Sequence, residues 1–283
     1  YEFYLDLKVL SNANKKYFHG KIPSWNAFMA NETYTDYWKD QAVIGQLTQV
    51  SVPTLNVAGW WDAEDFYGPL AIYKKLEEYD KANENFIVIG PWRHGGWARN
   101  DGQKLGAVDL GGDQSLYFRA KVQRSFFAYY LKGEGQWDMP EALTFQTGSN
   151  TWTSQKMWPP SDSSETRNLY FHEKGQLSFE APSSNEAGEF DGYVSDPENP
   201  VPYMPRPIPG FWQGGQWRWK VTDQRFVHRR PDVLSWETLP LKNDVTLAGD
   251  IVAKLFASTS GTDSDWIVKL IDVYPPSSWY PFG

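Results

Sequence analysis

Two short apolar runs in the first half of the chain end in small residues. Val52-Pro53-Thr54-Leu55-Asn56-Val57-Ala58-Gly59 and Asn85-Phe86-Ile87-Val88-Ile89-Gly90 each have the texture of a buried strand. Between them Leu70, Ile72, Tyr73 and Leu76 recur close to helical spacing, with Pro69 acceptable in a first helical turn. Strand, helix, strand over this length predicts a βαβ unit. It therefore predicts a parallel sheet whose post-strand loops present functional groups. Residues 1 to about 45 mix aromatic and polar positions (Trp25, Phe28, Tyr34, Tyr37, Trp38) without strand alternation, and read as helical or irregular. Further on, Asp113 is expected to cap a long helix running to Leu131, ended by the basic Lys132 and by Gly133.

After Gly135 the pattern changes. Short β-prone runs follow, separated by Gly, Pro, Asn and Ser: Ala142 to Thr147, Asn168 to His172, Val233 to Glu237, Val245 to Ala248, Ile251 to Ala257 and Trp266 to Tyr274. Many short strands with turn signals between them predict a β-sandwich. The proline-rich stretch Val201 to Pro209 predicts an extended surface loop or cover strap. Both ends read as cut. The chain begins abruptly and stops shortly after a strong strand, where a sandwich lacking later strands would expose a sheet edge. No internal repeat is evident.

Composition narrows the function classes. Hydrophobic residues make up 41% and charged residues 22%, a balance that supports a real core and argues against disorder. A net charge of −8 with no extended Lys/Arg cluster disfavours nucleic acid or an anionic membrane as partner. No apolar stretch is long enough to cross a bilayer. No signal peptide opens the chain, which says nothing about export if the N-terminus is cut. With no cysteine there is no disulfide, no thiolate nucleophile and no Cys-ligated metal. His19, His94, His172 and His228 form no His-x-x-x-His pair, so no metal site and no cofactor are expected. Asp263, Asp265 and Asp272 are acidic turn residues rather than a calcium site.

The candidate chemistry lies just beyond the two strands. Gly59-Trp60-Trp61-Asp62-Ala63-Glu64-Asp65 follows the first and Gly90-Pro91-Trp92-Arg93-His94-Gly95-Gly96 the second. Asp62 and His94 stand 32 residues apart, each in a loop that neighbouring parallel strands would bring to one sheet edge. A base near neutral pH is most often His, and a partner carboxylate fixes its tautomer and stabilises the imidazolium. The bland alternative is a turn at Trp-Asp and a surface loop at His94. A serine on a Gly-x-Ser-x-Gly turn occurs nowhere in the 283 residues. In α/β-hydrolases the order is Ser, Asp or Glu, then His, so the nucleophile is expected upstream of Tyr1. By that reading this chain alone would be inactive.

These two segments resemble those of the α-amino-acid ester hydrolases. These sit within a wider family that includes cocaine esterase, X-prolyl dipeptidyl peptidase and glutaryl-7-aminocephalosporanic acid acylase-like proteins. The likeness continues through Tyr193-Val194-Ser195-Asp196-Pro197, Arg229-Arg230-Pro231-Asp232-Val233 and the run Ser258 to Val273, covering nearly everything past Tyr37. The resemblance implies α/β plus all-β architecture. Residues 1–45 would be the end of a helical cap, 46–137 the C-terminal half of an α/β-hydrolase domain, and 138–283 a truncated jelly-roll β-sandwich. It implies Asp62 as triad acid and His94 as triad base, with Glu64 and Asp65 in a carboxylate cluster that binds the substrate's α-ammonium. The alternative for that acidic pair is a charge complement to the start of the Pro69 helix. The implied substrates are α-amino-acid esters and α-amino β-lactam amides. Simple esters, X-Pro peptides and glutaryl amides stand as alternatives within the family. A non-catalytic carbohydrate-binding sandwich, whose Trp and Tyr faces would stack on sugar rings, stands outside it. Trp212, Trp217 and Trp219 are expected to pack the domain interface, with a place at the active-site mouth as the alternative. The oligomeric state is left open, a homo-oligomer included, and a periplasmic or secreted location follows from the resemblance alone.

Overall fold

A computed structural model describes the chain except for residues 101, 184–189, 209–217 and 275–283. Its centre is a four-stranded sheet in the order β1-β2-β5-β6, where β1 is Thr54–Gly59, β2 Asn85–Gly90, β5 Ala142–Gln146 and β6 Thr151–Gln155; β3 (Lys104–Leu105) and β4 (Val108–Asp109) form a separate antiparallel pair. β1 runs parallel to β2 in a register that sets Gly59 opposite Gly90. After the short helices α1 (Glu2–Leu7), α2 (Pro23–Ala30) and α3 (Asp36–Gln41), the helix α4, Tyr67–Glu77, crosses between the two strands and buries Tyr73 and Leu76. The predicted βαβ unit is present, and its two strand ends stand side by side. Every residue of β2 is buried, as a central strand covered on both faces requires.

Two glycines make this edge possible. A Cβ on Gly59 would stand 2.4 Å from the Trp92 carbonyl oxygen, and one on Gly90 would stand 2.4 Å from the Trp92 ring. Trp92 is buried and packs on Phe118, with Val88, Val122 and Leu143 in the same cluster. The indole therefore occupies the space a side chain at residue 90 would need. The opposite sheet face carries Ala58, Tyr73, Ile87, Ile89, Ala142 and Trp158.

The helix expected from Asp113 runs from Gln114 to Lys132 and ends as predicted. Gly133 adopts φ 68° and ψ 25°, and the Gly133 and Glu134 N–H groups donate to the Tyr129 and Ala128 carbonyls. Its middle, Phe118–Gln123, is wound as a π-helical turn, which the periodicity did not reveal. Asp113 makes no cap hydrogen bond, because its carboxylate accepts from Gln103 instead.

Past Gly135 the structure departs from the expected sandwich. The sheet runs through the boundary drawn at 137/138. β5 pairs parallel with β2, β6 antiparallel with β5, and the Ile87 N–H donates to the Glu141 carbonyl. Strand propensity marks Ala142 to Thr147 as a strand but not which edge it joins. Tyr170–His172 (β7) and Gln176–Ser178 (β8) form a small antiparallel pair, which Glu237 joins by a single bridge. The runs Val245 to Ala248, Ile251 to Ala257 and Trp266 to Tyr274 lie as exposed chain without strand pairing. An apolar β-pattern becomes a strand only where another edge supplies its ladder.

Residues 1–45 carry short helices, Glu2–Leu7, Pro23–Ala30 and Asp36–Gln41. The proline-rich stretch lies against the first of these: Tyr203 packs on Tyr1 and Arg206 bonds Glu2, while Glu198, just before the stretch, pairs with Lys8. Pro209 lies outside the described residues.

Candidate active site

Asp62 follows β1 directly, and its turn is closed by hydrogen bonds at each polar group. Its N–H donates to the Gly59 carbonyl at 3.0 Å. One carboxylate oxygen, Oδ1, accepts from the Glu64 and Asp65 N–H groups at 2.9 and 3.0 Å, an Asx-type turn. The other, Oδ2, lies 3.2 Å from His94 Nδ1. The residue is 2% exposed. A buried carboxylate persists in such a place because two N–H donors and an imidazole compensate it.

His94 approaches from the loop after β2. The Trp61 N–H donates to the Trp92 carbonyl at 3.1 Å, so the loops are stitched together just beyond the sheet. Gly95, at φ 66°, turns the chain immediately after His94. With a carboxylate on Nδ1, the ring proton is assigned there and Nε2 keeps its lone pair. The nearest Glu64 oxygen is 3.8 Å from Nε2, beyond hydrogen-bond reach, and the His94 side chain is 33% exposed. The ring is thus oriented from behind and open in front. Burial lowers the Arg93 pKa, with Arg99 adding to the effect.

Glu64 and Asp65 are exposed and flank the ring, Asp65 Oδ2 standing 3.5 Å from Nδ1. All four residues singled out from sequence are therefore gathered on one side of the sheet. Among the described residues no group of three or more His, Asp or Glu is arranged to hold a metal ion, and Asp263, Asp265 and Asp272 are exposed. Trp219 is described, whereas Trp212 and Trp217 lie outside the described residues. Several other tryptophans are core residues: Trp92 and Trp158 are buried, and Trp60 and Trp152 pack against core clusters.

One residue at this site carries no sequence signal. Lys220 Nζ donates to the Asp62 backbone carbonyl at 2.6 Å from 158 positions away. A lone lysine between Trp219 and Val221 has no distinguishing pattern.

Residues 134–279 match the family described as X-Pro dipeptidyl-peptidase C-terminal non-catalytic domain, and residues 5–96 match X-Pro dipeptidyl-peptidase (S15 family). The chain belongs to the family described as X-Pro dipeptidyl-peptidase C-terminal non-catalytic domain. Members of the S15 family, which its first part matches, are serine hydrolases. Cocaine esterase from Rhodococcus sp. (strain MB1 Bresler) is 28% identical over 250 residues, covering 84% of this chain and 41% of the esterase. A putative serine esterase of Mycobacterium bovis is 25% identical over 251 residues, covering 85% of this chain and 35% of its own length.

Among solved structures, an α-amino acid ester hydrolase superposes with a TM-score of 0.79 at 37% identity, covering 87% of this chain and 41% of that one. An aminopeptidase from a marine sediment Thaumarchaeota archaeon gives 0.78 at 37% identity, covering 86% and 40%. The chain thus spans about two-fifths or less of the length of these relatives.

Proposed function

We propose that this chain supplies the acid and the base of a serine hydrolase acting on α-amino-acid esters and α-amino β-lactam amides. The serine would come from outside these 283 residues, upstream of Tyr1. The observation that carries the reading is the 3.2 Å contact between buried Asp62 and His94 Nδ1, with Nε2 left unbonded at the end of two parallel strands.

In the proposed reaction the serine hydroxyl attacks the substrate carbonyl while His94 Nε2 takes its proton. The imidazolium, steadied by Asp62, then protonates the departing alcohol or amine as the acyl–oxygen or acyl–nitrogen bond breaks. Water repeats the sequence on the acyl-enzyme, with His94 again as base, and releases the acid.

Glu64 and Asp65 are proposed to hold the substrate's α-ammonium. Three carboxylates within four residues repel one another, and an arriving cation relieves that repulsion. A charge-assisted contact of this kind is worth about 1.5–3 kcal/mol, enough to favour amino esters by roughly tenfold or more. An X-Pro dipeptidyl-peptidase activity is the second reading. It is supported by the family match, and its substrate also bears a free ammonium. The same proposal takes the chain after β6 as part of a jelly roll, supported by the apolar runs at 251–257 and 266–274.

The test is substitution in the full-length protein that carries this chain. D62N is expected to lower kcat by about 10⁴-fold on any ester, because the wrong His tautomer is then favoured. E64A and D65A are expected to lower kcat/KM on α-amino esters while sparing the deaminated analogues. Equal losses on both substrate types would remove the ammonium role and leave the acid–base role standing.

A further inference from the structure

The Asp62 loop is held in place by a residue far along the chain. Lys220 sits in the 3₁₀ turn Trp219–Val221, whose Val221 packs against the cluster of Leu105, Leu110 and Phe145. Trp61, the residue before Asp62, packs on that same cluster. The turn and the loop thus share one apolar seat. From it Lys220 Nζ reaches the Asp62 carbonyl at 2.6 Å, lying 5.6 Å from the Trp219 ring centre and 5.9 Å from that of Phe66.

An ammonium in this position is costly. Burial lowers the Lys220 pKa, and the nearby Asp62 charge offsets part of that shift. A lysine on an open surface would pay no such cost.

What the contact does follows from the turn itself. The Asp62 N–H and both carboxylate oxygens are engaged by residues 59 to 94, whereas the carbonyl is engaged from residue 220. That carbonyl belongs to the Asp62–Ala63 peptide. If this peptide rotates, the Glu64 and Asp65 N–H groups leave Oδ1 and the carboxylate swings from His94. Without Lys220 the part-buried carbonyl would lack this partner, and the Asp62 carboxylate would lose a nearby cation.

We infer that Lys220 is a positioning residue for the acid–base pair, so that the region matched to a domain described as non-catalytic takes part in holding the triad acid. The inference rests on the hydrolase reading above.

The experiment measures K220M, K220Q and K220R in the full-length protein with a p-nitrophenyl ester of an α-amino acid. K220M removes charge and donor, and K220Q is one atom too short to reach. Both are expected to lower kcat about tenfold or more, as slight misplacement of a catalytic group does, with KM changed less than about twofold. K220R keeps both features and is expected to recover most of the loss.

A fall in kcat of less than fivefold in the folded K220M, a loss confined to KM, or an arginine variant no better than methionine overturns the inference. If K220M does not fold, K220Q decides by the same criteria. H94A in the same protein separates the two readings. An active H94A sinks the hydrolase proposal itself, whereas an inactive H94A beside a parent-like K220M removes only the role of Lys220.

Discussion

At the scale of single residues, Asp62 shows how a short motif becomes a device. Its two carboxylate oxygens have different duties, one closing the turn and one facing His94. Asparagine would keep most of the turn but present an amide where the imidazole needs an acceptor, so D62N is expected to lower kcat while the melting temperature holds. Gly59 makes a complementary prediction. Any Cβ there meets the Trp92 carbonyl oxygen, a backbone atom that cannot swing aside. G59A is expected to destabilise the protein by about 1–3 kcal/mol and to lower activity, measured by denaturant melts beside kcat. An unaltered melt would mean that the strand ends are looser than they stand.

Asp62 and His94 were legible in the sequence because their meaning is local: a buried strand, then a polar residue in a loop. The bond that Lys220 makes was not, because its partner lies 158 positions away and only the fold brings them together.

At the scale of elements, β1, α4 and β2 were legible from periodicity and from their small terminal residues. The end of the long helix was legible from Gly133 alone. Partner choice was not. Ala142 to Thr147 reads as a strand in either of two sheets, and only the fold sets Ala142, Leu143 and Thr144 beside Ile87, Val88 and Ile89.

The same elements carry a pH prediction at the far end of the sheet. Burial pushes the Glu77 carboxyl up to about 7, with Glu141 adding to the rise and the Asn85 amide opposing it. An acid whose native pKa is raised binds its proton more tightly when folded. Its stabilising contribution is therefore present below about pH 4.5 and is lost as pH rises through about 7. Melting temperature plotted against pH is expected to fall across that window in the parent and to flatten in E77Q. An unchanged slope in E77Q would assign the pH dependence to other groups.

At the scale of the whole molecule, two matched family regions meet at one site. Asp62, Glu64, Asp65 and His94 lie in the region matched to the S15 family, and Lys220 lies in the region matched to its C-terminal domain. The apolar surface of the last described third, including Ile251, Val252, Phe256 and Ile267, is exposed. Short β-prone runs between turn residues predict strands there, yet a strand pattern does not by itself provide the neighbouring edge. What holds Asp62 and His94 is, by contrast, found among the described residues: two parallel strands, a stitched pair of loops and the Lys220 hydrogen bond.

The most direct test of the account is single-turnover hydrolysis of an amino-acid ester by H94A in the full-length protein. If His94 is the base, acyl-enzyme formation slows by at least about 10³-fold while ester binding changes little. A rate within tenfold of the parent would contradict the account, because the imidazole would then be moving no proton that matters.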